Sequence, residues 1–227
     1  MSFSGNEYIK MSSVIQKHEW RKQEKRIYLP KAKPEIIDIP SYKFIRISGQ
    51  GNPNSPQFAE VIGALYSVAY GIKMTAKKPD CALVGHYDYT VYPLEGVWDI
   101  TDEAKKNFNG FINKNDLVYQ LMLRQPDFVT TEFFNDILEI VRKKKPHPLH
   151  NEIHFETSRE GRCMQMLHVG SYENEAATFE LMESFAKEQR VSRKSKVHRE
   201  IYLSDFRKTA PEKLKTVLRF QLHESGT

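Results

Sequence analysis

Residues 36–74 read IIDIPSYKFIRISGQGNPNSPQFAEVIGALYSVAYGIKM, and their pattern changes twice within 39 positions. Positions 36–48 are rich in β-branched and aromatic residues around Pro40, the composition of a strand. GQGNPNSP is a loop of Gly, Asn and Pro. Ser55 is a good helix N-cap, and Pro56 sits at the first helical position, where its missing N–H costs nothing. Phe58, Val61, Ile62, Leu65, Ala69 and Ile72 then recur at helical spacing, so the segment predicts an amphipathic helix to about Met74. Two further strands are predicted at 87–97 and 116–124, which makes the order β-α-β-β.

Downstream, 131–144 predicts a helix with Phe133, Phe134, Ile137, Leu138 and Val141 on its buried side. Lys143 to Pro146 ends it. A strand at 153–157 follows, and the pattern then restarts. Residues 163–169 predict a strand, and Asn174 caps a helix whose acidic first turn suits the dipole and which carries Phe179, Met182 and Phe185 inward. A strand at 196–203 comes next. Thr209 and Glu212 have capping-box spacing around Pro211, and 216–222 closes as a strand. The expectation is an α+β fold: a tandem β-α-β-β duplication forming antiparallel sheet or sheets, helices on one face, and a central cleft between pseudo-twofold halves. The boundaries read are an N-terminal arm (1–35), a first half (36–126), a connecting helix and strand (127–160) and a second half (161–222). The arm is expected to be disordered at its tip and to dock through Trp20, Ile27 and Tyr28.

Composition narrows the function. There is no run of about 18 apolar residues, hence no membrane span. The first residues lack a basic stretch followed by an apolar core, so no signal peptide is expected. Cys81 and Cys163 are isolated, which fits a reducing cytoplasm and excludes a CxxC redox or zinc motif. The net charge of +5 is scattered apart from 142–145 and 190–199, and no nucleic-acid-binding signature accompanies it. HNEIH at 150–154 is not HExxH, so neither a metal nor any other cofactor is expected. GQGNPN lacks the completion of a phosphate loop.

Two stretches could carry chemistry. YDYTVYPLEGVWD (87–99) sets Tyr87, Tyr89, Tyr92 and Trp98 beside Asp88, Glu95 and Asp99. Aromatic plates and carboxylates suit a planar or cationic organic molecule, although aromatics are also ordinary strand residues. In KVHREIYLSD (196–205), period-two alternation puts His198, Glu200, Tyr202 and Ser204 on one face. Val197, Ile201 and Leu203 take the other, which is expected to pack beneath the helices. The first set faces either the cleft or water. Tyr66, Tyr70 and Met74 share one side of the first helix, as rim or packing. Met164, Met166 and His168 alternate on a strand, as pocket or core.

The segments LPKAKPEIIDIPSYKFIRISGQGNPN, SPQFAEVIGALYSVAYGIKM, TVYPLEGVWD, MLHVGSYENEAATFELM and HREIYLSDFRKTAPEKLKTVLR together resemble the GyrI-like small-molecule-binding family, in its stand-alone bacterial branch without a DNA-binding domain. The resemblance runs over about residues 28–222. It implies the tandem β-α-β-β duplication with an aromatic-lined cleft, and a drug-sensing or detoxifying role. A Glu on the penultimate strand, matched by Glu200 in REIYL, would lie on the cleft floor and meet cationic or polar groups.

Some stand-alone members are hydrolases that open the cyclopropane of DNA-alkylating natural products, which makes this chain a candidate for that activity. Trp98, Tyr89 and Tyr172 could then stack on a flat ligand. Glu200 or Glu95, its pKa raised in an apolar cleft, could deprotonate a water, and a Tyr hydroxyl could stabilise oxyanion character. Tyr66, His168, His198 and Tyr202 complete the candidate ligand set. The expected partners are hydrophobic or cationic aromatic small molecules, with no direct nucleic acid and no membrane. A third reading is a protein-interaction module, since one relative acts on DNA gyrase. The chain is expected to be a monomer or weak dimer.

Overall fold

A computed structural model describes residues 17–81 and 83–223. The elements in chain order are α1 (Trp20–Gln23), α2 (Lys25–Tyr28), β1 (Glu35–Gln50), α3 (Pro56–Ala76), β2 (Leu94–Ile100), α4 (Asp102–Lys106), β3 (Leu117–Gln125), α5 (Thr131–Lys144), β4 (His154–Val169), α6 (Glu175–Glu188), β5 (His198–Tyr202) and β6 (Lys215–Gln221). The α+β class, the antiparallel pairing and the repeated β-α-β-β order are as the sequence predicts. β1-α3-β2-β3 is one copy, β4-α6-β5-β6 the other, and α5 links them.

The strands pair in the order β1-β3-β2-β5-β6-β4, and the ladder closes on itself as a barrel. Each half supplies three adjacent strands. Two seams join equivalent strands of the halves, β1 with β4 and β2 with β5, both antiparallel. That exchange expresses the duplication in hydrogen bonds. On the outer surface, Ile45, Ile47, Leu121 and Leu123 lie under Val61, Leu65, Val68 and Ile72 of α3. Met164, Met166, Leu218 and Phe220 lie under Met182 and Ala186 of α6.

Local signals decide where elements begin. Ser55 Oγ accepts from Phe58 N at 3.3 Å, and Thr130 Oγ1 accepts from Phe133 N at 3.1 Å, each satisfying a first-turn donor. Asn174 holds the N-cap position of α6, but its side chain makes no capping bond. The expected capping box at Thr209 is likewise absent: Pro211–Lys213 is a 3-10 turn whose N-cap is Ala210.

Four predicted strands needed correction, in three respects. The strand expected at 87–97 begins only at Leu94. Residues 88–90 bind the N-terminal arm instead, through His18 N→Asp88 O at 2.7 Å and Thr90 N→His18 O at 2.8 Å, and Pro93 has no N–H to give a ladder. The segments expected at 153–157 and 163–169 form one strand, because β1 pairs continuously across the join between them, from Arg46↔His154 to Glu35↔Gln165. Gly161 absorbs the bend at a φ of 73°. Thirdly, the faces of β5 are reversed relative to expectation. Ile201 and Arg199 point into the barrel, while His198, Glu200 and Tyr202 face the helices.

The arm does dock: Trp20 and Tyr28 are buried, and Trp20 Nε1 donates to Val91 O at 3.0 Å. Its tip, expected to be disordered, lies outside the described residues, as does the stretch read for a signal peptide. Among the described residues, no helix is long and apolar enough to cross a membrane.

Candidate functional site

The β2–β5 seam has two faces with different chemistry. Its register pairs Gly96 with Glu200, Trp98 with His198 and Glu95 with Ile201. Paired residues of an antiparallel ladder share a face. Gly96, Trp98, His198, Glu200 and Tyr202 therefore lie together on the outer face, and Glu95, Val97, Arg199 and Ile201 on the inner one.

The outer face is flanked by both copies of the long helix. Phe58, near the start of α3, packs on Trp98 with ring centroids 5.8 Å apart, and Tyr119 of β3 lies 5.4 Å from the same indole. Phe179, in the first turns of α6, meets His198 edge-on at 4.8 Å. Between them Glu200 is only 9% exposed. Tyr202 Oη donates to Glu200 Oε2 at 2.8 Å, and Trp98 Nε1 donates to Tyr202 Oη at 2.8 Å. His198 Nε2 lies 3.1 Å from Glu200 Oε1. The Tyr202 phenol thus orients one carboxylate oxygen, and the His198 ring contacts the other. Gly96 makes room for this chain: a Cβ there would come within 2.7 Å of Trp98 Nε1 and 3.1 Å of Tyr202 Oη. Tyr172 is half-exposed and meets Tyr202 edge-on at 6.1 Å, forming a rim. Burial, then the charge of Glu200, raises the Tyr172 phenol to about 12, and the same two causes hold the Tyr202 phenol well above its usual value.

Glu175 is the residue that the sequence reading missed. It opens α6, is 8% exposed, and has Oε1 without a hydrogen-bond partner. Burial first, and then the Glu200 carboxylate, push its carboxyl far above the ordinary carboxylate range, which favours its protonated form beside Glu200. A signal existed: Glu175, Thr178, Phe179, Met182 and Ala186 follow the inward stripe of α6, so an acid holds an apolar-stripe position. Reading it only as first-turn charge favouring the helix dipole hid that placement.

The remaining candidates lie elsewhere. Glu95 does not share the aromatic face; it is ion-paired with Arg199 at 2.5 Å inside the barrel. There Arg199 Nε also meets Glu160 at 3.2 Å, and Arg219 Nη1 meets the same Glu160 oxygen at 3.0 Å. Burial raises the Glu160 carboxyl, but the two guanidiniums outweigh it and leave it lowered. Arg219 is 1% exposed and also binds Gln165 Oε1 at 2.8 Å and Ile27 O at 2.9 Å, tying down the arm. A small internal cavity of about 10 Å³ beside Glu95, Glu160, Arg199 and Arg219 has room for about one water.

Tyr89 belongs to a separate aromatic group with Tyr92 and Phe128 near the arm. His168 is held under α6, with Nδ1 2.8 Å from Thr178 Oγ1 and Nε2 3.1 Å from Ser171 O. Tyr66 on α3 stacks near Tyr70, and its phenol, raised by burial, faces the Leu94 backbone and Asp205, at the edge of the seam. His150 is taken up by Ser67 at 2.9 Å. No group of three or more His, Cys, Asp or Glu among the described residues could hold a metal.

Comparison with known proteins adds three findings. The family model described as a GyrI-like small molecule binding domain matches residues 32–223. Two solved structures from Listeria innocua, one described as a hydrolase and one as an uncharacterized conserved protein, are 35% and 36% identical, with TM-scores of 0.80 and 0.81. Both alignments span 91% of this chain and 100% of the other. The C-terminal domain of EcmrR shares the fold at 10% identity and a TM-score of 0.50, over 85% of this chain and 98% of that one. No curated protein matches the chain significantly.

Proposed function

The chain belongs to the GyrI-like small-molecule-binding family, and from that premise we propose that the outer face of the β2–β5 seam binds planar aromatic molecules carrying a positive or strongly polar group. The biological role we infer is xenobiotic sensing or detoxification. One observation carries this reading: Glu200 is buried and held by the Tyr202 phenol, with no lysine or arginine paired to it among the described residues. A buried carboxylate of that kind favours an external cation. Trp98, Phe58, Tyr119 and Tyr172 supply π-faces and apolar contact around it.

Titration with N-methylacridinium, a flat permanent cation, tests the proposal by fluorescence. Saturable binding is expected, weakened at least about tenfold in Glu200→Gln, the equivalent of about 1.4 kcal/mol. Equal affinity in that variant would remove Glu200 from the site.

A hydrolase reading is favoured by a second observation, the buried Glu175 carboxyl with an unpartnered oxygen next to Glu200, and by the description of a relative at 35% identity as a hydrolase. For a cyclopropane conjugated to a dienone, Glu200 would take a proton from water as its oxygen bonds the ring methylene. The cyclopropane C–C bond breaks, its electron pair passes into the conjugated carbonyl, and the resulting phenolate takes a proton from Glu175. Proton return from Glu200 to Glu175 completes the cycle, with water added and nothing oxidised. Turnover of a cyclopropanoid that survives Glu200→Gln unchanged would sink this reading.

A further inference from the structure

The outer face holds two carboxyl groups and, among the described residues, no ion-paired lysine or arginine for either. The Glu175 carboxyl is nine-tenths buried, from the first turn of α6, with Oε1 unpartnered, while Glu200 opposite it on β5 already accepts from Tyr202 and contacts His198. Two carboxylates this close and this dry cannot both be ionised without a counter-charge.

The other polar groups facing the pair do not supply one. Tyr172 and Tyr202 carry phenols that remain protonated. Asp205 is bound by Arg207 at 2.9 Å, and the Trp98 indole is spent on Tyr202. Among the described residues, the other ionisable ring beside the pair is the His198 imidazole, 3.1 Å from Glu200 Oε1.

We propose that an organic cation binding at the outer face of the seam takes the place of the proton held between Glu175 and Glu200, so that cation binding and proton release are one event. The step is an exchange: one positive charge enters, one proton leaves Glu175 for bulk solvent, and no covalent bond between heavy atoms changes. It makes the site a selector for charge. A neutral ligand of the same shape would meet a carboxylic acid and expel nothing. A cation would meet two carboxylates, but only after deprotonating one, so its affinity rises with pH.

The inference rests on the binding reading above, and the test separates their failures. Calorimetric titration at pH 8.5, above the imidazole range, in two buffers of different ionisation enthalpy counts protons released per ligand bound. N-methylacridinium should release close to one, and neutral acridine close to none. Over pH 7.5–8.5 the apparent affinity for the cation should rise about tenfold, the slope of a single linked proton. In Glu175→Gln the release and the slope should both vanish, whatever affinity remains. Binding of N-methylacridinium to the unaltered protein without proton release, or release undiminished in Glu175→Gln, would overturn the inference. If neither ligand binds, the binding reading itself falls.

Discussion

Glu95 and Glu200 lie one register step apart on the same two-stranded seam, and their surroundings could hardly differ more. Inside the barrel, two carboxylates (Glu95 and Glu160) face two guanidiniums (Arg199 and Arg219), and Gln165 and the Ile27 carbonyl take up further donors of Arg219. Outside, two carboxyls face each other with phenol, indole and imidazole around them and, among the described residues, no paired guanidinium. The inner set is complete without a ligand, and its work is to fix the barrel and the N-terminal arm. The outer set is electrostatically incomplete. A buried carboxylate is therefore a poor guide to function until its counter-charge has been sought.

The comparison breaks most readily on the inner side. Arg219→Met removes one of two cations from Glu160 and the anchor of the arm, and breaking a buried pair in this way costs about 3–5 kcal/mol. Chemical denaturation should register that loss. The double variant Glu160→Gln with Arg219→Met should recover part of it, because position 160 then no longer carries a buried charge short of its cation. A loss below about 1 kcal/mol, the size of an exposed pair, would mean that the inner cluster is not the structural lock described.

The outer side should respond in binding as well as in stability. Gly96→Ala places a methyl group 2.7 Å from Trp98 Nε1, in the space the indole–phenol bond occupies. Overpacking of this kind costs about 1–3 kcal/mol. The variant should also lose affinity for N-methylacridinium, since Tyr202 would no longer hold Glu200 in place. Unaltered affinity would show that the Trp98–Tyr202–Glu200 chain does not organise the site.

Much of the fold was legible because periodicity speaks directly to local structure. α5 runs over Thr131–Lys144 as its apolar spacing predicts, and α3 begins at the Ser55-Pro56 signal. What was not legible depends on partners distant in sequence. No local signal shows that β1 will hold 154–165 in one strand, or that His18 will capture Asp88 and Thr90. The site divides the same way. Alternation correctly grouped His198, Glu200 and Tyr202, but could not tell which face the helices cover. Glu95 stood as an alternative to Glu200 because its guanidinium partner lies 104 positions along the chain. Glu175 was passed over because a carboxylate in a helix's first turn has an ordinary explanation, and only the packing of α6 on β5 reveals that it is buried.

Acid and alkali should separate the two carboxyl groups further. Glu160 has its carboxyl lowered in the folded state, so its contribution is present above the unfolded carboxylate range and is lost as pH falls through the folded value. Glu175 has the opposite sign. Its raised carboxyl favours the folded state below the unfolded range, and that advantage is lost as pH rises toward the folded value. Thermal denaturation from pH 3 to 9 should therefore show stability declining as pH rises above the unfolded carboxylate range. Glu175→Gln should flatten that decline and raise Tm at pH 8, by roughly 2–4 °C for each kcal/mol recovered. The loss below that range, where Glu160 takes up its proton, should be unaltered by this variant. A parallel decline in both proteins would assign the alkaline loss to other groups.

The smallest expected effect is the most discriminating one. Glu95→Gln removes a carboxylate from the same aromatic stretch as Trp98, yet Glu95 lies on the barrel side of the seam. Arg199 keeps Glu160 at 3.2 Å, so the cation is not stranded. Affinity for N-methylacridinium should stay within about twofold, under about 0.5 kcal/mol, while Glu200→Gln loses about tenfold or more. If Glu95→Gln weakened binding as much as Glu200→Gln, the seam would not insulate its two faces. The ligand would then be responding to the summed negative charge of the barrel, with no oriented carboxylate required.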